Sequence, residues 1–348
     1  MKKIIAGKHF PEGYKSKLDF FETEEGIHFI KKHFQKALAD RLSLRRVSAP
    51  RFIFIDGGLQ DDLAGTQVPV GFKTTFSDKR VEMVHSLAKW KRHALAKYGF
   101  PEGIGLYTDM DAVRKDEAVS PIHSVYVDQW DWEKVIAPEQ RSLEFLKSVV
   151  RKIYEALRET EAEVCRKFPV LKVRLPVDIT FVHAEDLEEM YPDMTPDERE
   201  DAITKKFGVV FIIGIGEKLK SGYPHDLRAA DYDDWSTPTL DGKKGLNGDI
   251  IVWDDIRGKA LELSSMGIRV DPESMKRQLA LMGLSQRESM EFHSGVIEGS
   301  IPPSIGGGIG QSRICMFLLQ KAHIGEVQAG VWPEEVERAF EEQGVMLL

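Results

Sequence analysis

The run Gly306-Gly307-Gly308-Ile309-Gly310-Gln311-Ser312-Arg313 restricts the fold more than any other stretch of the chain. Glycines without side chains let a main chain press against a flat ligand, and the arginine returns to it one turn later. The apolar Ile314-Cys315-Met316-Phe317-Leu318-Leu319 that follows reads as a buried helix. Neither familiar nucleotide fingerprint fits. A phosphate-binding loop needs Gly-Lys-Ser or Gly-Lys-Thr where Gln311-Ser312-Arg313 stand, and the dinucleotide motif needs a third glycine where Arg313 stands. By itself the run is equally compatible with a tight structural turn.

The other periodicities predict mixed helices and strands. Ile27, Ile30, Phe34, Leu38 and Leu42 recur at helical spacing across 24–42, and Pro50 then opens a strand over 51–55 that ends at the Asp56-Gly57-Gly58 turn. A packing helix is expected over 144–167, with strands at 178–182, 209–215, 249–253 and 260–263. Gly103-x-Gly105 and Gly214-x-Gly216 read as turns. Without a regular βαβ rhythm, the pattern favours an α+β fold with helices packed on an antiparallel sheet. A chain of 348 residues leaves one extended domain or two open. The polar connection at 223–247 is too long for an idle linker and reads as an active-site loop.

Charge narrows the function. A net charge of −8 argues against broad capture of nucleic acid but leaves room for small anions held by local arginines. Cys165 and Cys315 are far apart and indicate neither a disulfide framework nor a zinc site; the ten histidines offer no His-x-x-x-His pair. No apolar run approaches the roughly 18 residues that a membrane span needs, and the chain start is too short for a secretory leader. These features predict a cytoplasmic protein.

Three further constellations carry chemistry. Asp249 and Glu262 form a carboxylate pair suited to Mg²⁺ on nucleotide phosphates or, equally, to a solvated sheet edge. Strand alternation through 261–270 would put Glu262, Ser264 and Met266 on one face. Arg114-Lys115-Asp116-Glu117 leads into a strand whose alternation aims Gln129 and Asp131 to the face of Val125 and Val127, where polar groups need partners. Lys89, Lys91 and Arg92 lie within four residues and read by default as a basic surface turn.

In order, the Pro50 region, Arg114 to Glu133, and Gly306-x-Gly308-x-Gly310-x-x-Arg313 resemble the three motifs of class II aminoacyl-tRNA synthetases. The closer resemblance is to the ammonia-dependent asparagine synthetases, the aspartate-ammonia ligases. It is carried by Val84-His-Ser-Leu-Ala-Lys-Trp-Lys-Arg92, His123-Ser-Val-Tyr-Val-Asp-Gln-Trp-Asp-Trp-Glu133, Asp231-Tyr-Asp-Asp-Trp-Ser-Thr-Pro238, Gly245-Leu-Asn-Gly-Asp-Ile250 and Val327-Gln-Ala-Gly-Val-Trp-Pro333. The resemblance covers almost the whole chain and leaves nothing over for an anticodon-binding module.

That resemblance implies one synthetase-like catalytic domain over 1–348, with an arm at 1–23 of uncertain structure, and a homodimer formed through the first motif. The implied reaction joins L-aspartate and ammonia with ATP through β-aspartyl-AMP, releasing AMP and pyrophosphate. Arg114 and Arg313 match arginines on the α-phosphate and nucleotide, Gly308 and Gly310 the nucleotide floor, and Asp249 and Glu262 the Mg²⁺ and triphosphate carboxylates. Lys91, Ser265 and Arg269 resemble the α-carboxylate set, and Asp131 and Asp233 the α-ammonium set. Gln129 matches a residue that orients the reacting carbonyl, and Asp61 a catalytic acid near the amide position, although Asp62 beside it would also serve. The alternatives are a synthetase relative that passes its adenylate to tRNA or to a lysine, and a catalytically silent binding subunit. Intact Arg114, Gln129, Asp249, Glu262, Arg269 and Arg313 weigh against silence. Whether glutamine also supplies nitrogen stays open; no glutaminase region is visible, and Lys2 stands where an N-terminal one would need its cysteine.

Overall fold

The computed structural model describes residues 9–63, 67–239 and 242–348. Helix α1 (Phe20–Leu42) begins four residues before its apolar periodicity does, because Asp19 caps it. The Asp19 carboxylate accepts from the Glu22 N–H at 2.8 Å, and the Glu22 carboxylate accepts from the Asp19 N–H at 3.0 Å. Phe20 and Phe21 in that first turn are exposed and add nothing to the periodicity. The arm before α1 is docked from Phe10 onward: Phe10 and Tyr14 are buried, and the Tyr14 hydroxyl donates to Glu326 at 2.9 Å.

The strands are β1 (Leu44–Arg46), β2 (Phe52–Phe54), β3 (Gly71–Thr74), β4 (Ser77–Met83), β5 (Gly105–Val113), β6 (Tyr126–Val135), β7 (Thr180–His183), β8 (Val209–Ile213), β9 (Asn247–Asp254), β10 (Lys259–Ile268) and β11 (Ser304–Gly310). The remaining helices are α2 (Ala88–Lys97), α3 (Leu143–Lys167), α4 (Ala184–Met190), α5 (Pro196–Phe207), α6 (Pro272–Leu281), α7 (Glu291–Ile297), α8 (Gln311–Leu318) and α9 (Glu334–Gln343). Eight strands form one sheet in the order β1-β5-β6-β11-β10-β9-β8-β7, and β2-β4-β3 form a small second one. Every neighbouring pair in the large sheet is antiparallel except the two outermost, β1 with β5 and β7 with β8. The expected α+β class and mainly antiparallel sheet are what the chain adopts. The strand after Pro50 is shorter than expected and lies in the small sheet, while β1, too short to show alternation, supplies the sheet edge.

One face of the sheet is dry. Ile30, Phe34 and Leu38 of α1 and Leu146, Val150, Ile153 and Leu157 of α3 pack with Trp130, Trp132, Met266, Ile268, Ile305 and Ile309. Alternation sends the intervening strand residues to the opposite face, and this second face holds the polar groups. Strand β8 is buried on both sides: Val209, Phe211 and Ile213 join the main core, whereas Val210 and Ile212 pack with Leu187 of α4 and Ile203 of α5. A strand covered twice reads as a continuous apolar run, and this one does.

The face assignment of β10 differs from the expected alternation. The register with β9 shifts between Glu262 and Ser264, a β-bulge that changes phase. Leu261 and Leu263 face the core before it, and Met266 and Ile268 after it. Glu262 and Ser265 thereby share the polar face, and neither Ser264 nor Met266 joins Glu262 on it.

Candidate active site

The middle strand β11 sets the site. Gly306, Gly308 and Gly310 alternate on the polar face, and a Cβ on them would stand 1.8 Å from Glu133 Oε2, 2.5 Å from Gln129 Oε1 and 3.3 Å from Arg313 Cβ respectively. The floor is bare backbone because neighbouring side chains occupy the space above it. Gln129, Asp131 and Glu133 of β6 lean over it, and Glu262 and Ser265 of β10 flank it from the other side.

Above this floor lies a cleft of about 450 Å³, lined among others by Arg114, Gln129, Glu262, Ser265, Gly308 and Arg313. Arg313, in the first turn of α8, donates to the Glu262 carbonyl at 3.0 Å and lies 3.4 Å from its carboxylate. Arg114 donates to the His85 carbonyl at 3.4 Å, and its buried Nε has no partner among the described residues. His123 also lines the cleft; burial, reinforced by Arg313 and Arg114, pushes its imidazole down to about 3, so it is neutral. The polar connection at 223–247 borders this cleft: Asp226, Leu227, Arg228, Ala229 and Tyr232 form one of its walls.

Asp249 lies beside the cleft, on a neighbouring cavity that also borders Glu262 and Arg313. One of its oxygens meets Arg228; the other, Oδ1, is buried without a partner among the described residues. Burial pushes the carboxyl up to about 7, against the pull of Arg228 and with the help of the Glu262 charge.

Beside the glycine strand, buried charges pair off. Lys91 Nζ donates to Asp131 Oδ1 at 2.5 Å and to the Gly307 carbonyl at 2.7 Å, leaving Asp131 Oδ2 without a partner among the described residues. Arg269 grips both oxygens of Glu133 at 3.0, 3.1 and 2.8 Å and makes a close ion pair with Asp233. Its side chain is 2% exposed, so the guanidinium is largely engaged within the protein. Asp233 nonetheless has its pKa raised by burial.

The expectation of a basic surface turn at 89–92 is overturned. Lys89, Lys91 and Arg92 are all buried in α2, each with its own partner: Asp231 at 3.0 Å for Lys89, Asp131 for Lys91, and the Val270 carbonyl at 2.8 Å for Arg92. Charge density alone gives no sign of burial; the partners lie 40 or more residues away.

Asp61 and Asp62 point apart. Asp61 is buried, accepting from the Ser86 hydroxyl at 2.6 Å and from the Leu63 N–H at 2.9 Å. The ring of His85 meets the Asp61 carbonyl at 3.1 Å, while the His85 carbonyl receives Arg114. Asp62 turns outward to Arg287. Leu63 lines the cleft with φ at 52°, a left-handed conformation that is strained for leucine.

Among the site residues without an expected role are Glu133, Arg228 and Tyr232. Glu133 is legible in the sequence, as it continues the period-two row of Gln129 and Asp131. Arg228 and Tyr232 sit in an irregular loop where no period points at them.

The model of the aspartate-ammonia ligase family matches residues 21–344 of this chain. The chain belongs to the aspartate-ammonia ligase family. Aspartate-ammonia ligases of Parabacteroides distasonis and Clostridium perfringens are each 52% identical to it over 339 residues, 97% of this chain and 98% of theirs. That of Bacteroides thetaiotaomicron is 50% identical over the same shares. The fold is that of class II aminoacyl-tRNA synthetases. Pyrococcus horikoshii asparaginyl-tRNA synthetase, solved with asparaginyl-adenylate, superposes with a TM-score of 0.66 at 14% identity, covering 89% of this chain and 70% of that one. Entamoeba histolytica aspartyl-tRNA synthetase gives 0.60 at 16% identity, covering 88% and 57%. Like its relatives, this aspartate-ammonia ligase is a ligase, and none of its described helices is long and apolar enough to cross a membrane.

Proposed function

We propose that the chain joins L-aspartate to ammonia with ATP, forming L-asparagine through β-aspartyl-AMP and releasing AMP and pyrophosphate. The observation that carries this reading is a cleft with Arg114 and Arg313 over a glycine floor, beside a buried cluster where Asp131, Glu133 and Asp233 surround Lys91 and Arg269. The cleft suits a phosphate-bearing nucleotide. The cluster suits a zwitterion: an α-ammonium group would find the unpartnered Asp131 Oδ2 and Asp233, and an α-carboxylate would find Lys91, Ser265 and Arg269.

Seated this way, the β-carboxylate of aspartate attacks the α-phosphorus, and pyrophosphate leaves with the electron pair of the broken P–O bond. Arg114 and Arg313 offset charge growing on the phosphorus oxygens, each such donor contributing about 3 kcal/mol. Gln129, held against Gly308, orients the β-carbonyl. Asp61 draws in ammonium and takes one proton, and the freed nitrogen lone pair attacks the carbonyl carbon. The nitrogen loses a second proton to water as the adduct collapses, the C–O bond breaks, and AMP leaves with its electrons.

The donor set fits Mg²⁺. Asp249 offers a buried, unpartnered oxygen, and Glu262 faces the same cavity, which suits a hard cation that keeps most of its waters. When bound, the ion would neutralise the triphosphate; Asp249 and Glu262 would hold it.

We also propose that residues 1–348 act as one catalytic domain in the cytoplasm, as a twofold dimer formed through α1 and the strand after Pro50, without nucleic acid. Light scattering should give twice the chain mass. The reaction is tested by incubating the protein with aspartate, ATP, Mg²⁺ and ammonium. AMP and pyrophosphate should each match asparagine one for one; ADP and phosphate would replace this route with an acyl phosphate.

A further inference from the structure

The segment Asp231-Tyr232-Asp233-Asp234 is tied down at every acidic position. Asp231 receives Lys89 and His293, each at 3.0 Å, Asp233 pairs with Arg269, and Asp234 receives Arg141 at 2.5 Å and the Thr237 hydroxyl at 2.6 Å. The backbone is fixed as well, since the Tyr232 carbonyl accepts from the Val270 N–H at 2.9 Å. Buried ion pairs are costly to desolvate and stabilise little by themselves, but they fix geometry. What they fix here is a phenol.

Tyr232 lines the cleft, and its ring lies 5.8 Å from the Arg269 guanidinium. Its hydroxyl has no hydrogen-bond partner among the described residues, unlike Tyr14, Tyr126 and Tyr154, whose hydroxyls are all engaged. The residue is half-buried and borders the cleft, so a hydroxyl without a protein partner is free for a ligand there. Burial, then the nearby charges of Asp61 and Asp233, push the phenol far above its ordinary range, so it stays protonated. Asp61 approaches the same cleft from behind Leu63, which lines it together with Tyr232 and donates its N–H to Asp61; each Asp61 oxygen, one holding Ser86 and the other Leu63, keeps acceptor capacity.

We propose that Tyr232 is the second half of the ammonia site, its phenol oxygen accepting one N–H of the incoming nitrogen while the Asp61 carboxylate accepts another. The proposal rests on the amination role given to Asp61 above. Two acceptors fix the direction of the nitrogen lone pair; a carboxylate alone would attract the cation without aiming it.

The test titrates ammonium in asparagine synthesis by the wild-type enzyme and Tyr232→Phe, which keeps the ring over Arg269, and measures aspartate-dependent pyrophosphate exchange on the same preparations. Losing a hydrogen bond to a charged group should raise the ammonium KM by about 10- to 100-fold, with the aspartate KM changing much less. In the Asp61→Asn/Tyr232→Phe double variant the losses should be less than additive, since both groups hold one nitrogen. An unchanged ammonium KM, an equal rise in the aspartate KM, or strict additivity would each overturn the proposal. The ammonium KM needs no adenylate to be read, so missing exchange in the wild-type enzyme would count against the adenylate route alone.

Discussion

Asp61 and Asp62 differ by one position and by almost everything physical. The first is 2% exposed and fixed by Ser86 and Leu63; the second shares a partly exposed ion pair with Arg287. Asp61→Asn should slow asparagine formation by roughly 10²-fold or more, the usual size of a positioned acid-base group, while pyrophosphate exchange survives. Asp62→Asn should be much milder, because surface pairs contribute about 1 kcal/mol or less. Parallel loss of both activities in Asp61→Asn would remove it from the amination step. Arg269 has consequences beyond substrate affinity. The resemblance alone points to an effect on aspartate KM, yet the guanidinium also neutralises Glu133 and Asp233 in a dry setting. Arg269→Ala should therefore lower stability by about 3–5 kcal/mol, the cost of stranding a buried charge, as well as weaken aspartate binding. A urea melt unchanged from wild type would show that the two carboxylates find other partners.

At the scale of elements, the strands and long helices were readable because each buries one face and shows it as a period. The row Gln129, Asp131, Glu133 was readable for the same reason. The bulge in β10 was not: one extra residue leaves no mark on composition, yet it decides that Ser265 and Glu262 share the site face. The burial of Lys89, Lys91 and Arg92 was equally hidden, since their partners come from distant segments. The glycines of β11 were visible from the outset, but only the structure says what they make room for. Gly308→Ala would bring a methyl 2.5 Å from Gln129 Oε1 and push that amide off the cleft floor. Synthesis should fall by about 10²-fold, comparable to losing one oriented electrostatic donor, while circular dichroism stays native. Full activity in this variant would sever Gln129 from the chemistry.

Across the whole molecule, a subset of the charged and titratable groups is buried, among them Lys91 with Asp131, Arg269 with Glu133, and the histidines His123 and His323. Among its consequences is a predictable response to acid. Burial drives His123 and His323 down to about 3, so between about 6.5 and 3 the unfolded chain binds protons that the folded one refuses. Stability is therefore lost as pH falls through that window, by about 1.4 kcal/mol per pH unit for each histidine. His123→Gln should flatten the pH dependence of urea unfolding by one such increment between about pH 6 and pH 4. An unaltered slope would mean that His123 charges without leaving its place.

The bare strand at the centre of the cleft also limits how such an enzyme can evolve. Any missense change in a glycine codon introduces a Cβ, and at positions 306 and 308 that atom lands 1.8 and 2.5 Å from a side chain already in use. No mutational neighbour offers a small adjustment there. Drift toward a new ligand has to enter through the surrounding walls, at Leu63 or in the loop bearing Arg228 and Tyr232, with the glycine floor beneath them held constant by the absence of anything to vary.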